Sequence, residues 1–589
     1  MRIGIDFGST YSTVAKYFPE SDTVEALTLM EGEPSSIPSV VSISKKMGSK
    51  MFGSSAKKKV GKSAFTIYDG FKMLLVESDE KMLGNRGYSS ITTPHSISRD
   101  YLEYLLSGIV NRYGNNDNTI EEAVICVPEI WSSRVRTIDG RNILRDILSN
   151  EINLPNDFRI EKVKVVTEPE AACAFFAHNY ERENNKKFNG HILLIDYGGG
   201  TLDITLMEVI SNDDLSMEIG YRESGGIGEN HPDSNGNLIL GNAGIAYMQR
   251  VAAIAIQEND LIPENAFPDY SSSEFNECVH ELEDLLKDPK SIQKIEFNFG
   301  QLGDYTCFDD IFEEECEELG TICFGDEEIP ITYQQLFLAY KNVIEGAVKN
   351  EIDKICAKAI KHINQDPRTI ESGMRDDFKI ALVGGFGSFY LVRKQIESIF
   401  NIDTNLSADL RVKNIDLAKG EQAIALGAGL LASGRVVLQK TARFSIGLYS
   451  RSTDKRNKLS YGIRWHQEIK PEQPYFLLCD NEEEDKIYNR NNYGALRNNI
   501  THFVVEFSSS MNKGTTMALK PVFLKKLEEI PDGGIWNCGF SMDSDEVISF
   551  HIVPRKGQDP KFSEIVIRLD SYTNLFDLTA GEEVVADEI

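Results

Sequence analysis

The sequence predicts an α/β protein with two similar lobes, followed by a small β-sandwich-like C-terminal domain. A strand, a glycine-containing turn and a second strand occur at residues 3–17 and again at residues 192–209. A third glycine-rich turn, between an apolar strand and an amphipathic helix, lies within residues 380–400. From Arg443 onward, short β-rich runs alternate with turn residues, which is typical of a β-sandwich.

Length and composition restrict the class of protein. The chain has 589 residues, of which 41% are hydrophobic, enough for several folded cores. Its net charge of −29 opposes binding to nucleic acid and to anionic membranes, because both would be repelled. No run approaches the ~20 apolar residues of a membrane-spanning helix, and the strand-like Ile3-Gly4-Ile5 leaves no room for a signal peptide. We therefore expect a cytoplasmic protein.

The cysteines indicate neither a disulfide framework nor a metal site. There are nine of them, an odd number, and none forms a C-x-x-C pair. Neither they nor the nine histidines have the spacing of metal ligands. We expect free thiols.

The two matched turns have the composition of a phosphate-binding cradle. Their glycines allow positive φ and let successive N–H groups converge on an anion, while Ser9, Thr10 and Thr201 add hydroxyl donors. Asp6 and Asp196 each close the preceding strand, where a carboxylate could hold a hydrated Mg²⁺. One such turn would ordinarily be a simple hairpin. Two matched copies predict two lobes that face each other around the phosphates of a nucleotide.

The third glycine element contains Gly384, Gly385 and Phe386. A strand, a Gly-Gly turn and a helix suit the close approach of backbone to a nucleoside. Alone it is a common α/β turn, and it gains weight only beside the two hairpins.

These residues resemble the Hsp70 family, and the wider actin and sugar-kinase superfamily, over residues 1–435. The resemblance implies a two-lobed actin-like ATPase with duplicated ribonuclease H-like lobes, a candidate interdomain linker at residues 436–440, and a β-rich substrate- or partner-binding domain at residues 441–589. It rests on five motifs in the expected order: Ile5-Asp6-Phe7-Gly8-Ser9-Thr10-Tyr11, Ala123-Val124-Ile125-Cys126-Val127-Pro128, Thr167-Glu168-Pro169-Glu170-Ala171-Ala172, Asp196-Tyr197-Gly198-Gly199-Gly200-Thr201-Leu202-Asp203 and Leu382-Val383-Gly384-Gly385-Phe386.

The resemblance also implies site residues, with ATP or ADP and Mg²⁺ as cofactors. The catalytic set is Lys72, Asp6, Glu168, Asp196 and Asp203, of which Asp6 and Asp196 would hold the metal through water. A lysine on a surface helix is otherwise usually only solvated. Pro128 and Arg136 would form a switch to the second domain, although a proline at a strand end ordinarily only ends the strand. The nucleotide-binding set is Gly8, Ser9, Thr10, Tyr11, Gly198, Gly199, Gly200, Thr201, Gly384, Gly385 and Phe386.

Two departures affect the base and phosphate contacts. Where the family clamps adenine with basic side chains, residues 278–285 carry acids, which leaves Phe386 as a candidate for stacking on the base. Two glycine-rich segments, residues 225–228 and 241–244, compete for a position near the phosphates.

Three functions remain open at the level of sequence. The first is an ATP-driven, chaperone-like protein whose β domain binds polypeptide, with a possible co-chaperone-like regulator. The second is an actin-like scaffold or nucleotide sensor with one dedicated protein partner. The third, a small-molecule kinase, is disfavoured because no sugar-site pattern stands out. No long charged helical segment follows the last β-run, so we expect the chaperones' helical lid to be missing.

Overall fold

A computed structural model provides the structure of the chain. It describes residues 1–77, 79–114, 117–129, 131, 140–211, 217–227, 231–232, 238–239, 241–263, 268–270, 272–301, 318–351, 354, 378–387, 389–402, 422–439, 445–451, 457–463, 469–470, 473–476, 500–507, 515–519, 536–543, 548–554 and 564–568.

The described residues form a mixed α/β structure with several sheets. Their strands are β1 (Arg2–Phe7), β2 (Tyr11–Phe18), β3 (Thr23–Leu27), β4 (Ile37–Pro38), β5 (Val41–Ser44), β6 (Lys50–Phe52), β7 (Phe65–Tyr68), β8 (Thr119–Ile120), β9 (Glu122–Val127), β10 (Arg159–Ile160), β11 (Val163–Thr167), β12 (Gly190–Tyr197), β13 (Leu202–Ser211), β14 (Met217–Ile227), β15 (His231–Pro232), β16 (Leu238–Ile239), β17 (Glu318–Phe324), β18 (Glu327–Thr332), β19 (Phe378–Val383), β20 (Val436–Gln439), β21 (Ser445–Arg451), β22 (Asn457–Ile463), β23 (Tyr475–Phe476), β24 (Ile500–Phe507), β25 (Thr515–Leu519), β26 (Trp536–Met542), β27 (Ile548–Pro554) and β28 (Ile565–Arg568). Their helices are α1 (Gly53–Lys57), α2 (Glu80–Asn85), α3 (Pro94–Tyr113), α4 (Gly140–Asp146), α5 (Glu168–Asn184), α6 (Gly244–Glu258), α7 (Ser273–Lys287), α8 (Pro289–Gln301), α9 (Tyr333–Tyr340), α10 (Tyr390–Ile402) and α11 (Ala423–Ser433).

Two sheets repeat the same strand pattern. In the first, β1 is antiparallel to β2 and parallel to β9, and the order is β11-β9-β1-β2-β3. In the second, β12 is antiparallel to β13 and parallel to β19, and the order is β19-β12-β13-β14-β20. Each predicted glycine turn connects the two strands of a hairpin, β1 to β2 in the first sheet and β12 to β13 in the second. The strand–turn–strand repeat predicted from sequence is therefore present in both copies.

Helices α5 and α11 form an apolar layer that contacts both sheets. One buried cluster joins Ala15 and Val124 of the first sheet to Ile192 and Ala381 of the second, with the small apolar residues of the two helices between them. The helices approach closely, because a Cβ on Gly427 would overlap the carbonyl oxygen of Ala171. Small residues are therefore required where α11 crosses α5.

The region after Gln439 contains two four-stranded antiparallel sheets, β22-β21-β24-β25 and β23-β26-β27-β28. The short β-rich runs predicted from Arg443 onward overlap strands β21–β25, β27 and β28. Strand β26 was not predicted, although its sequence WNCGFSM alternates apolar residues with Asn, Gly and Ser, which is the pattern of a strand. That the two sheets form a sandwich, and a domain of their own, remains a prediction.

The segment Val436–Gln439, predicted as a candidate linker, is a strand. β20 pairs in parallel with Met217–Gly220 of β14 and extends the second sheet. Its Val437 side chain is 50% exposed. Residue 440, the end of the candidate linker, lies outside the described residues.

A Ser–His–Glu chain ties three strands together at the C-terminal end. His551 Nε2 lies 2.7 Å from Ser541 Oγ, and His551 Nδ1 lies 3.1 Å from Glu564 Oε1. Ser541 is only 2% exposed, so its hydroxyl cannot meet a substrate in this conformation. The chain gives the buried Ser541 and His551 side chains hydrogen-bond partners.

Across the described ranges, no helix has the length and apolar character needed to cross a membrane. Cys126, Cys173, Cys278 and Cys323 are free thiols, as expected.

We expect Gly427→Ala to lower the free energy of unfolding by about 1–3 kcal/mol, because the added methyl group must displace α5. Gly346→Ala is the matched control: Gly346 has helical φ and ψ of −70° and −40° and no atom near the Cβ position. That control should be neutral, or stabilise by up to ~1 kcal/mol. Urea unfolding measures both variants, and equal stability would contradict the tight helix crossing.

Candidate nucleotide and phosphate site

The first glycine turn, residues 8–10, is braced by Ser39. The Ser39 backbone N–H donates to the Thr10 carbonyl at 2.8 Å, and its hydroxyl donates to the Gly8 carbonyl at 2.7 Å. A Cβ on Gly8 would overlap the carbonyl oxygen of Tyr11, so only glycine fits there. The turn thus has a fixed backbone before any ligand binds.

The second turn, residues 198–201, is braced by the start of α6. Gly244 N–H donates to the Gly198 carbonyl at 3.2 Å, and Ile245 N–H donates to the Gly199 carbonyl at 2.8 Å. The Thr201 hydroxyl donates to Asp203 at 3.0 Å. These bonds hold the turn against the segment before α6.

Both competing glycine-rich segments lie beside the second turn. Gly244 of the segment 241–244 donates to its backbone, as described above. Gly225 and Gly226 stand opposite Ile204 and Asp203 in the β13–β14 ladder. Gly228 lies outside the described residues. The two segments therefore do not exclude each other.

The third element joins the second turn through Tyr197. The N–H groups of Phe386 and Gly387 both donate to the Tyr197 carbonyl at 3.0 Å. Gly384 has φ of +82°, and a Cβ there would come within 2.6 Å of an Asp196 carboxylate oxygen. The glycine is needed for both its conformation and its contact.

The two hairpin turns face each other. A Cβ on Gly199 would lie 3.0 Å from the Thr10 hydroxyl oxygen. By contrast, a Cβ on Gly200 or Gly385 would meet no atom within 4 Å, so these glycines border open space. Gly200 of the second turn and Gly385 of the third element thus leave room for a ligand, and glycine-rich backbone of this kind suits an anion.

A cluster of carboxylates lies at the ends of the strands beneath these turns. Asp6, Asp196 and Asp203 are only 7–8% exposed. Lys72, 1% exposed, lies just before a 3₁₀ turn (Met73–Val76) and forms an ion pair with Glu168. The lysine is therefore buried and paired, which excludes the alternative of a solvated surface lysine.

Helix capping fixes the position of Glu168, the first residue of α5. The Thr167 side chain accepts the Glu170 N–H, and the Glu170 side chain accepts the Thr167 N–H. This reciprocal capping box orders the first helical turn. The partner of Lys72 is thus held by the backbone of the helix.

The cluster has more negative charge than its lysine balances. Burial, reinforced by the Glu168 carboxylate and opposed by Lys72, raises the pKa of Asp6 to about 7. Burial, with Glu168, Asp203 and Asp6, raises the pKa of Asp196 well above its ordinary value. Such a site has a deficit of positive charge that a cation can supply.

The donor set fits hydrated Mg²⁺. Asp6 and Asp196 offer hard oxygen ligands beside the open space, and Mg²⁺ commonly keeps several waters and takes other ligands from phosphate. No group of three or more His, Cys, Asp or Glu residues among the described ones could hold a metal directly. Asp6 and Asp196 could each hold such a hydrated cation through water.

Similar proteins are all members of one chaperone family. The chain is 29% identical over 209 residues to the chaperone protein DnaK of Metamycoplasma hominis, which covers 36% of this chain and 30% of that protein. It is 26% identical over 248 residues to a heat shock protein homolog of Encephalitozoon cuniculi, covering 35% and 34%. It is 22% identical over 442 residues to DnaK of Nitrosopumilus maritimus, covering 73% and 55%.

The chain is a divergent Hsp70-like protein. The resemblance predicted from its motifs is thereby confirmed. It spans about a third of the length of the first two of these relatives. No protein-family model matches it.

The acidic helix of this Hsp70-like protein is α7, where the family carries its basic clamp. Glu283 is paired with Lys287 at 2.7 Å and with Lys57 at 3.7 Å, and Lys57 also pairs with Asp284 at 2.7 Å. Lys57 further donates to the Tyr11 hydroxyl at 3.0 Å. The acids of α7 are therefore neutralised by lysines of the same chain. Through Lys57 they connect α7 to Tyr11, the residue after the first turn.

His280 adds a second connection across the same contact. Its Nε2 lies 3.4 Å from Asp69 and its Nδ1 lies 3.7 Å from Glu283. These two carboxylates outweigh burial and raise the pKa of His280 to about 9, so it is an imidazolium at neutral pH. Sequence reasoning missed Lys57, Lys287 and His280, because no local pattern marks a lysine or histidine that will meet a distant helix.

Two other predicted residues of the Hsp70-like protein have defined surroundings. The Phe386 ring stacks on Phe389, with centroids 5.2 Å apart, and packs edge-on against Tyr197 at 5.2 Å. One ring face is thus already covered, which weakens the case for base stacking. Pro128 is buried after β9, and its carbonyl accepts the Trp131 N–H at 3.1 Å. Arg136, its predicted switch partner, lies outside the described residues.

We expect the free energy of unfolding of the nucleotide-free protein to fall as pH rises, because the buried Asp6 carboxyl loses its proton. Its folded pKa of about 7 exceeds the ordinary 3.8, so the folded protein binds more protons between these values. The stabilisation that this carboxyl gives the folded protein is fully present below pH 3.8 and is lost as pH rises through about 7. Urea unfolding in EDTA should show a smaller pH slope for Asp6→Asn than for the wild type. The exposed Asp326→Asn is the control, and an unchanged slope in Asp6→Asn would contradict the charge deficit.

Proposed function

We propose that this Hsp70-like protein binds Mg·ATP and hydrolyses it weakly to ADP and phosphate. The observation that carries the proposal is the meeting of three glycine elements above a buried carboxylate cluster with its single paired lysine. The relatives, which are chaperones of the DnaK and heat shock type, support nucleotide binding at this site.

Each residue has a separate task in the proposed mechanism. The glycine backbones of residues 8–11, 198–201 and 384–385 approach the phosphates and orient them, while the Phe386 N–H stays on the Tyr197 carbonyl. Asp6 and Asp196 would hold a hydrated Mg²⁺ through water, and the ion would supply positive charge to the phosphate oxygens. The Lys72 ammonium, which is paired with Glu168, stabilises the negative charge on the transferring phosphoryl group, where electrostatic stabilisation gives most of the rate. Asp203 accepts a hydrogen bond from the attacking water and orients it.

The close contact of the two turns supports a two-lobed, actin-like arrangement, with residues 1–435 as the nucleotide-binding domain. In this proposal residues 436–440 connect it to a β-rich domain, residues 441–589, which binds polypeptide. Glu168, Pro128 and Arg136 transmit the state of the nucleotide. A co-chaperone-like regulator is a further proposed partner, and we expect a cytoplasmic location without nucleic-acid or membrane partners.

The start of β20 offers a physical route for this coupling. Arg435 Nε lies 3.5 Å from Asp22, in the turn between β2 and β3 of the first sheet. Asp22 also accepts hydrogen bonds from the Tyr17 hydroxyl at 2.6 Å and from His178 Nε2 of α5 at 3.2 Å. The strand that leads to the C-terminal sheets is thus connected to both sheets and to the helix that begins at Glu168.

The alternative is an actin-like scaffold or nucleotide sensor with one dedicated partner. The observation that favours it is the ion-pair network of Lys57, Glu283 and His280, which joins distant segments beside the site and would slow nucleotide exchange. A pull-down with a hydrolysis-deficient variant separates the two functions. Many unrelated unfolded clients favour the chaperone-like function, and one stoichiometric partner favours the scaffold.

We expect Lys72→Ala and Asp196→Asn each to slow ATP hydrolysis by at least ~100-fold, since each removes charge control at the phosphoryl group. Single-turnover hydrolysis measures the rate, and thermal unfolding with Mg·ATP checks that nucleotide still binds. Lys81→Ala and Asp326→Asn, both at exposed positions, are the matched controls. If both site variants turn over ATP at the wild-type rate, the assigned roles are wrong.

We expect nucleotide to change the hydrogen-exchange protection of residues 434–439. If β20 couples the site to the C-terminal sheets, ATP must stabilise one arrangement of this strand over the other, and the linkage must run both ways. Exchange is measured with ATP, with ADP and without nucleotide, in the wild type and in Val437→Asp. The amides of β12 serve as an internal reference of stable protection. Equal protection of 434–439 in all three states would leave the C-terminal region uncoupled and favour the scaffold.

A further inference from the structure

One segment of this acidic chain has the opposite charge. Residues 34–68 contain seven lysines (Lys45, Lys46, Lys50, Lys57, Lys58, Lys59 and Lys62) and no Asp, Glu or Arg, whereas the whole chain has 91 acidic residues and a net charge of −29. All the charged Lys, Arg, Asp and Glu side chains of this segment are therefore positive.

The fold gathers these lysines on one small unit, which we call the lysine module and define as residues 41–68. It consists of the sheet β6-β5-β7 and helix α1. Lys45 and Lys46 lie in the turn between β5 and β6, and Lys58 and Lys62 follow α1. Met47, at the tip of the β5–β6 turn, is 80% exposed. A single unit thus presents both positive charge and an apolar tip.

Part of this charge is already used within the protein. Lys50 pairs with Asp100 of α3, Lys57 pairs with Asp284 of α7, and the Lys59 ammonium lies 5.5 Å from the centre of the Phe65 ring. Lys45, Lys46, Lys58 and Lys62 are exposed and form no ion pair with any residue that the structure describes. These four are the charges available to a partner.

The surroundings of the lysine module limit the partner's size. Asp100 stands on one border, and on another the Glu277 carboxylate lies against Gly61. A nucleic-acid duplex or a membrane extends well beyond such a patch and would bring its phosphates against these acids and the negative remainder of the chain. A short acidic segment fits between the borders.

The aromatic residues of the module also disfavour single-stranded nucleic acid. Phe52 is stacked on Tyr104 with centroids 5.0 Å apart, and Tyr68 packs on Tyr88 at the same distance. Lys59 covers Phe65. Base binding relies on free aromatic faces, which these rings do not provide.

We propose that the lysine module is a docking surface for a short acidic segment of a partner polypeptide. The four available lysines attract its carboxylates, and Met47 contacts an apolar side chain next to them. The proposal is independent of nucleotide binding, because none of these five residues lies in the glycine turns or the carboxylate cluster.

The test uses the full chain and a fluorescein-labelled peptide of ten glutamates, followed by fluorescence anisotropy. Lys46→Glu/Lys58→Glu/Lys62→Glu should weaken binding by at least about tenfold, since repulsion replaces the attraction of three exposed lysines for the glutamates. Affinity should fall as salt is raised from about 0.05 to 0.3 M. Thermal unfolding checks that the variants fold, which is expected for exposed positions.

The matched control is Lys81→Glu/Lys290→Glu/Lys470→Glu, which changes net charge equally at exposed lysines elsewhere. Retained peptide binding in this control supports a local surface. An equal loss in both triple variants would overturn the proposal, because net charge alone would then explain binding. Absence of peptide binding by the wild type, or tighter binding of a single-stranded oligonucleotide or of phosphatidylserine vesicles, would overturn it as well.

Discussion

The crossing of α5 and α11 is the constraint on which the rest of the structure depends. Gly427 of α11 lies against the backbone of Ala171 in α5, and Gly4 of β1 lies against Gly429 of the same helix. A side chain at either glycine would separate the elements. This contact joins the first sheet to a helix layer that also packs on the second sheet, so it sets how the strands approach each other.

The same contact determines the electrostatics of the site. Asp6 and Asp196 are the penultimate residues of β1 and β12, and burial raises the pKa of Asp196, with Asp6 among the carboxylates that add to the effect. Glu168, at the start of α5, supplies the partner of Lys72. Burial of several acids with one lysine is unfavourable without further positive charge. A bound cation would offset this unfavourable burial, so the same carboxylates would favour cation binding.

The segment that contains Lys57 pairs with helix α7. The acids of α7 stand where the resemblance led us to expect a basic clamp, and Lys57, Lys287 and His280 neutralise them from within the chain. Lys45, Lys46, Lys58 and Lys62 remain exposed on the lysine module. The same unit is thus paired with α7 through Lys57 and open to solvent at these four lysines.

The sequence by itself determined the two glycine turns, the strands around them, the third glycine element and most of the C-terminal strands. These features follow from local rules, since glycine conformation and apolar periodicity act within a few residues. The sequence also indicated Asp6, Asp196 and Lys72 through their place in short motifs. Strand β26 was missed, although it has this periodicity.

Only the tertiary structure decided which side chains meet. Lys57 and Asp284 are 227 positions apart, and nothing local in either sequence marks their ion pair. Val436–Gln439 forms a strand because it pairs with the edge of β14. The Phe386 ring is packed against Tyr197 and Phe389, which are distant from it or outside its motif. Burial of Lys72 likewise depends on Glu168, 96 positions away. Contacts of this kind arise from packing between distant elements, which local propensity and motif spacing do not encode.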